Sequence, residues 1–142
     1  SPPYSIPVAL KQVTNNAIAM MCNQGILKEV QENTEWAALT FAVPKKTEGV
    51  RIVSNFCALN CWIKQSLWPM LSTRKLLHWV GGMTWVTALD YLLYYTMQMV
   101  KHVQKYLTII LPWGKYQYLK MPMGMSISAD VFQRKMTNCL TD

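Results

Sequence analysis

Within TWVTALDYLLYYTM, Asp90 closes the apolar run TWVTAL and is the sole carboxylate between Glu48 and Asp130. A charge is costly to bury unless something pairs with it, so its place at the end of a strand-like run calls for a partner. One answer is local: Asp is a favoured N-cap, and Asp90 can cap a segment that starts at Tyr91. Cations are concentrated around it in sequence, with Lys45, Lys46, Arg51, Lys64, Arg74, Lys75, Lys101, Lys105, Lys115 and Lys120 set against Glu48 and Asp90. That imbalance suits a polyanion, although a basic surface also serves solubility or faces anionic lipid. Lys45 and Lys46 fall in a turn, where a solvated lysine is ordinary. Trp113 and Tyr116 flank Lys115, a pattern that stacks on nucleic-acid bases or packs on itself.

The whole chain has 142 residues, with fourteen Lys and Arg against seven Asp and Glu, for a net charge of +7. Its 51% hydrophobic and 11% aromatic content supports a real core within a single domain and argues against disorder. Cys22, Cys57, Cys61 and Cys139 form no C-x-x-C pair, and His78 and His102 lie far from them in sequence. Free, mostly buried thiols are therefore expected, without a zinc or disulfide framework. No apolar run approaches the ~20 residues of a membrane helix. The start SPPYSIPVALKQ lacks the charged and apolar regions of a signal peptide, so the expected setting is intracellular.

Breakers and periodicity then define the elements that must position these residues. Val8, Val13, Ala17, Met20 and Met21 recur at mixed three- and four-residue spacings, which predicts a helix over 8–24 with Gly25 as its stop. LTFAVPKKTEGVRIVSN reads as a hairpin of strands 39–43 and 50–55, with Lys45 and Lys46 at its tip. Residues 56–70 show neither period and are expected to cross the surface irregularly. Ser72 or Thr73 can cap a short helix stopped by Gly81 and Gly82, followed by a strand at 84–89. KYLTIILPWGKYQYLKM reads as a second hairpin with Gly114 in its turn. A last helix, SISADVFQRKMTNCL, can be capped by Ser126 or Ser128, with Phe132 in the core.

In order along the chain, QGILKEV, AVPKKTEGVRIV, ALN, GGMTWVTALDYLLYYTM, TIILPWGKYQYLKMPMG and SADVFQRKM resemble successive blocks of reverse transcriptases of the gypsy-type LTR retrotransposon group. The resemblance covers nearly all of residues 1–142. It implies an α+β fold, the fingers and first part of the palm of a right-hand polymerase, with an antiparallel palm sheet and packed helices. The implied activity is RNA-directed DNA polymerisation. The partners are an RNA or DNA template with primer and dNTP, together with the remaining palm, thumb and RNase H regions of a polyprotein. No membrane partner is implied. Nucleotidyl transfer of this kind uses two divalent ions, Mg2+ or Mn2+, which take hard carboxylate oxygens. By resemblance, Asp90 is catalytic and binds metal, and the backbone carbonyl of Tyr91 is a further ligand. Lys45 and Arg51 match the finger cations over the triphosphate, and Tyr95 matches the aromatic beside the sugar 2′ carbon. Tyr91, Met123 and Gly124 match nucleotide-site positions, with Gly124 permitting close backbone approach. Met121, Met123 and Met125 also alternate as strand residues do.

The chain departs from the pattern as well. Asn55, Phe56 and Cys57 stand where the family has Asp, an aromatic and Arg; the joint loss of an acid and a base is expected to cost little beyond local rigidity. Tyr94 replaces a small Gly, and Ala129 a Pro. No adjacent acidic pair occurs anywhere in the chain, so the second catalytic motif, Y-x-D-D, is missing. The expectation is a sequence truncated before that motif, without thumb or RNase H, and inactive alone. The alternative is a decayed, noncatalytic basic nucleic-acid-binding relic. A basic domain acting through protein contacts is the third reading.

Overall fold

The computed structural model describes residues 3–64, 68–69, 72–87 and 97–141. Pro7, at φ −52° and ψ 139°, sits at the N-cap of α1 (Val8–Asn23). The helix stops where the sequence predicts. Gly25 takes φ +64°, its N–H donates to the Cys22 carbonyl (3.0 Å), and Ile26 N–H donates to Met21 (2.9 Å). These two bonds satisfy carbonyls that the helix end would otherwise leave bare, and only glycine enters the left-handed region cheaply.

The apolar residues that mark α1 in the sequence are not all on its buried face. Thr14 and Ile18 are buried, with Met21 and Cys22 packed against the core, whereas Val8, Val13 and Met20 are exposed. Thr14 enters the core at little cost because its hydroxyl donates to the Leu10 carbonyl at 2.6 Å.

Five strands form one sheet among the described residues: β1 (Leu27–Glu29), β2 (Ala38–Pro44), β3 (Val50–Ser54), β4 (Thr108–Leu111) and β5 (Gly114–Tyr118), in the order β1-β5-β4-β2-β3. The pairs β1–β5, β4–β5 and β2–β3 are antiparallel. The β2–β4 pair is parallel, with Ala38 opposite Ile109 and Leu39 opposite Ile110. The expected antiparallel sheet therefore carries one parallel seam. The long connection from β3 to β4 allows it, since parallel neighbours need a crossover rather than a tight turn. Ile18, Leu27, Ala38, Phe56, Leu107, Ile109, Leu111, Tyr118 and Met121 make up the centre of the core.

Several local expectations change. The turn of the second hairpin is Pro112-Trp113, with Leu111 opposite Gly114 and Gly114 already in β5; Pro suits the first turn position because its φ is preset. Residues 56–70 are not wholly irregular, since Asn55 Oδ1 accepts from Cys57 N–H at 3.0 Å and starts a short helix, α2 (Cys57–Asn60). Helix α3 (Thr73–Val80) begins at Ser72, whose hydroxyl accepts from Lys75 N–H. Residues 84–87 form no strand and Trp85 is exposed; an extended apolar segment becomes a strand only when a neighbour completes its ladder. The rest of that expected strand lies outside the described residues.

After α4 (Lys101–Gln104) and β4–β5, the last helix is α5 (Ser128–Thr141). Neither expected serine caps it through its hydroxyl: Ser128 Oγ donates to the Pro122 carbonyl at 3.0 Å, and Ser126 Oγ is buried without a partner among the described residues. Phe132 is half-buried. Asp130 lies in the first turn of α5, where a negative charge meets the positive end of the helix dipole. Among the described residues no helix is long and apolar enough to cross a membrane.

Candidate nucleotide and nucleic-acid site

The hairpin β2–β3 closes with Lys45 N–H donating to the Gly49 carbonyl (3.0 Å), and Gly49 at φ +102° makes the reversal possible. This places Lys45, Lys46 and Arg51 on an exposed tip, with Arg51 opposite Val43 in the register. A cavity of about 510 Å3 lies between that hairpin and α1. Its wall includes Lys45 and Arg51 from the hairpin, Val13, Ala17 and Met20 from α1, and Met123 from the loop after β5. Glu48 shares the wall, so two cations outweigh one carboxylate there. An apolar floor with cations at one side suits an amphipathic anion better than a free inorganic ion.

Met123 reaches this place through an anchored loop. Residues 97–99 pair antiparallel with 119–121, with Met99 N–H donating to Leu119 and Met121 N–H to Met97, both at 2.9 Å. Met121 and Met125 are buried while Met123 between them is exposed, so the alternation seen in the sequence belongs to a turn rather than a strand. Gly124 takes φ +93°. A Cβ there would sit 3.5 Å from the Ser54 carbonyl and 3.7 Å from Phe56, in ordinary contact, so backbone conformation rather than crowding calls for glycine.

No family model matches the chain. Two polyproteins of Schizosaccharomyces pombe, Transposon Tf2-7 and Transposon Tf2-3, are each 30% identical to it over 131 residues, which is 92% of this chain and 10% of theirs. The chain thus spans about a tenth of the length of the curated relatives it matches. Among solved structures, the selenomethionine-labelled CSH mutant of Prototype Foamy Virus Protease-Reverse Transcriptase superposes with a TM-score of 0.83 at 18% identity, covering 99% of this chain and 19% of that one. The fold is that of a reverse transcriptase domain. A foamy viral protease-reverse transcriptase in complex with RNA/DNA hybrid gives 0.79 at 16% identity, covering 99% of this chain and 19% of that one.

Within this reverse-transcriptase-like fold, three of the expected nucleotide residues, Lys45, Arg51 and Met123, line one cavity, and Gly124 follows directly on Met123. Asp90, Tyr91, Tyr94 and Tyr95 lie outside the described residues. Among the described residues no group of three or more His, Cys, Asp or Glu sits together as a metal site. Trp113 and Tyr116 do not form an exposed stacking pair: Tyr116 is buried, and Trp113 packs half-buried against the core.

At the departures, Asn55 holds the chain locally through its bond to Cys57 N–H, and Phe56 is buried against Tyr118, ring centroids 6.2 Å apart and edge-on. A cavity of about 410 Å3 opens beside Asn55 and Cys57, bounded also by Glu35 and Trp36. Four residues with no expected role there help to build the site: Val13, Ala17, Met20 and Asn60. Val13, Ala17 and Met20 fit a helical stripe, yet they wall the cavity rather than the core. Asn60, within the ALN block, reaches the Gly124 turn with both ends of its amide.

The thiols also differ from expectation, since Cys57, Cys61 and Cys139 are exposed and only Cys22 is half-buried. Short α2 and the outer face of α5 leave those three no core to enter. Burial, aided by the nearby Glu29 charge, pushes the Cys22 thiol above its ordinary range. Because the thiolate is the reacting form, iodoacetamide at pH 8 followed by peptide mapping is expected to label Cys57, Cys61 and Cys139 well before Cys22. Equal rates at all four would contradict this placement.

Proposed function

We propose that the chain is the fingers and first palm portion, residues 1–142, of a gypsy-type retrotransposon reverse transcriptase, binding template-primer and dNTP through its basic hairpin side. The observation that carries this is the convergence of Met123 with Lys45 and Arg51 of the hairpin, more than seventy positions earlier in sequence, on one cavity with apolar lining. The fold and the ordered sequence blocks support the reading, as does the excess of exposed cations. In this reading Lys45 and Arg51 neutralise triphosphate oxygens, Met123 and Gly124 border the nucleotide, and Tyr95 lies beside its sugar. Asp90 and the Tyr91 carbonyl belong to the Mg2+ or Mn2+ site of the complete enzyme, in which the ions activate the primer hydroxyl and offset phosphate charge. With one carboxylate of the usual three, the chain by itself binds without polymerising. A noncatalytic relic would share this binding.

The binding test uses an RNA/DNA hybrid and the 142-residue chain. Neutralising about three phosphates predicts an affinity drop on the order of thirtyfold or more between 50 and 200 mM salt. Absent binding, or binding flat with salt, would sink both nucleic-acid readings. Primer extension separates them: in a longer protein that contains an adjacent acidic pair, Asp90→Asn is expected to abolish extension while hybrid affinity stays largely intact. Retained extension would remove Asp90 from the metal site.

A further inference from the structure

Asn60 ends α2, in a part of the chain more than sixty positions before the loop it touches. Its Nδ2 donates to the Gly124 carbonyl at 2.9 Å, and its Oδ1 accepts from Ser126 N–H, also at 2.9 Å. Only one orientation of the amide satisfies both contacts, because one faces a carbonyl and the other an N–H. The two bonds bracket Met125, which is buried, and Met123, just before the bracket, stands in the cavity wall. Asn60 is itself tied to the core, since its N–H donates to the Phe56 carbonyl at 2.8 Å and Phe56 is fully buried.

Burial of Met121 and Met125 fixes the two sides of the turn but leaves Gly124 between them. Glycine at φ +93° has no side chain to hold it. The Gly124 carbonyl would otherwise be free to rotate with its peptide plane. Asn60 removes that freedom from both sides of Met125.

We infer that Asn60 is a positioning residue: a two-ended clamp that, together with the pairing of 97–99 to 119–121 and the Ser128–Pro122 bond, fixes the Met123–Gly124 turn against the Lys45/Arg51 cavity. This rests on the nucleotide reading only for what the turn is placed to meet.

Amide exchange followed by NMR on the 142-residue chain tests the clamp. In Asn60→Ala the Ser126 amide is expected to exchange tenfold or more faster, while the Ile109 and Ile110 amides of β4 keep their rates. Asn60→Asp keeps an acceptor for Ser126 N–H but sets a carboxylate oxygen against the Gly124 carbonyl, so a clamp that needs both ends predicts faster Ser126 exchange in this variant as well. Unchanged Ser126 exchange in Asn60→Ala would overturn the proposal. So would acceleration shared equally by Ile109 and Ile110, which marks general loosening. A parallel titration with deoxythymidine triphosphate, read on the Met123 methyl resonance, is expected to show about tenfold weaker binding for Asn60→Ala. If the unaltered chain gives no response to triphosphate, the nucleotide reading fails, and the exchange result still decides the clamp.

Discussion

Phe56→Ala is expected to destabilise the chain by about 3–5 kcal/mol, read as a lower urea midpoint. The side chain is 1% exposed and meets Tyr118 edge-on, so truncation removes both burial and an aromatic pair. It stands between β3 and α2, and its ring lies within reach of Gly124, so the cavity left behind borders three elements at once. Against a total stability of roughly 5–15 kcal/mol for a domain, that loss is a large share. Val43→Ala, on the exposed part of β2, is the contrast: its side chain is 40% exposed and the cost is expected to stay under about 1 kcal/mol. A Phe56→Ala midpoint close to that of Val43→Ala would mean that the β3–α2 junction is not part of the core.

The second large effect concerns binding. The double variant Lys45→Glu/Arg51→Glu is expected to weaken deoxythymidine triphosphate by a hundredfold or more. Two charge-assisted contacts contribute about 1.5–3 kcal/mol each, and reversal adds repulsion. Bulk charge is separated from position by Lys28→Glu. Lys28 is exposed on β1, at the opposite edge of the sheet from β3, so the same kind of reversal there is expected to change triphosphate affinity by less than threefold at 0.15 M salt. Equal losses from the two changes would mean that net charge, not the hairpin cavity, governs binding.

How much of this was legible beforehand depends on whether the signal was local. The stop at Gly25, a cap at Ser72 or Thr73 and the presence of both hairpins, though not the exact turn of the second, could be read from sequence because a turn or cap is decided by a few adjacent residues and their backbone preferences. The α1 face could not. Its apolar residues mark two stripes, and only the docking of Thr14, Ile18, Met21 and Cys22 onto the sheet decides which stripe is covered. The strand expected at 84–89 failed over 84–87 for a related reason, since pairing is supplied by another segment and not by the segment itself. Met121, Met123 and Met125 carry a period of two, yet two anchored ends and a glycine at φ +93° make that period a turn.

By itself, then, the sequence determined the chemistry on offer: a carboxylate at Asp90, cations at Lys45 and Arg51, the ordered blocks that imply a reverse-transcriptase fold, and the absence of an adjacent acidic pair. Only the tertiary structure decided that Lys45, Arg51 and Met123 share a wall, that β2 and β4 run parallel, and that Asn60 grips the Gly124 turn. Side-chain identity and local backbone preference are written along the chain. Contacts between positions sixty or more residues apart depend on which faces pack and which strands pair, and those choices are made by the whole core at once.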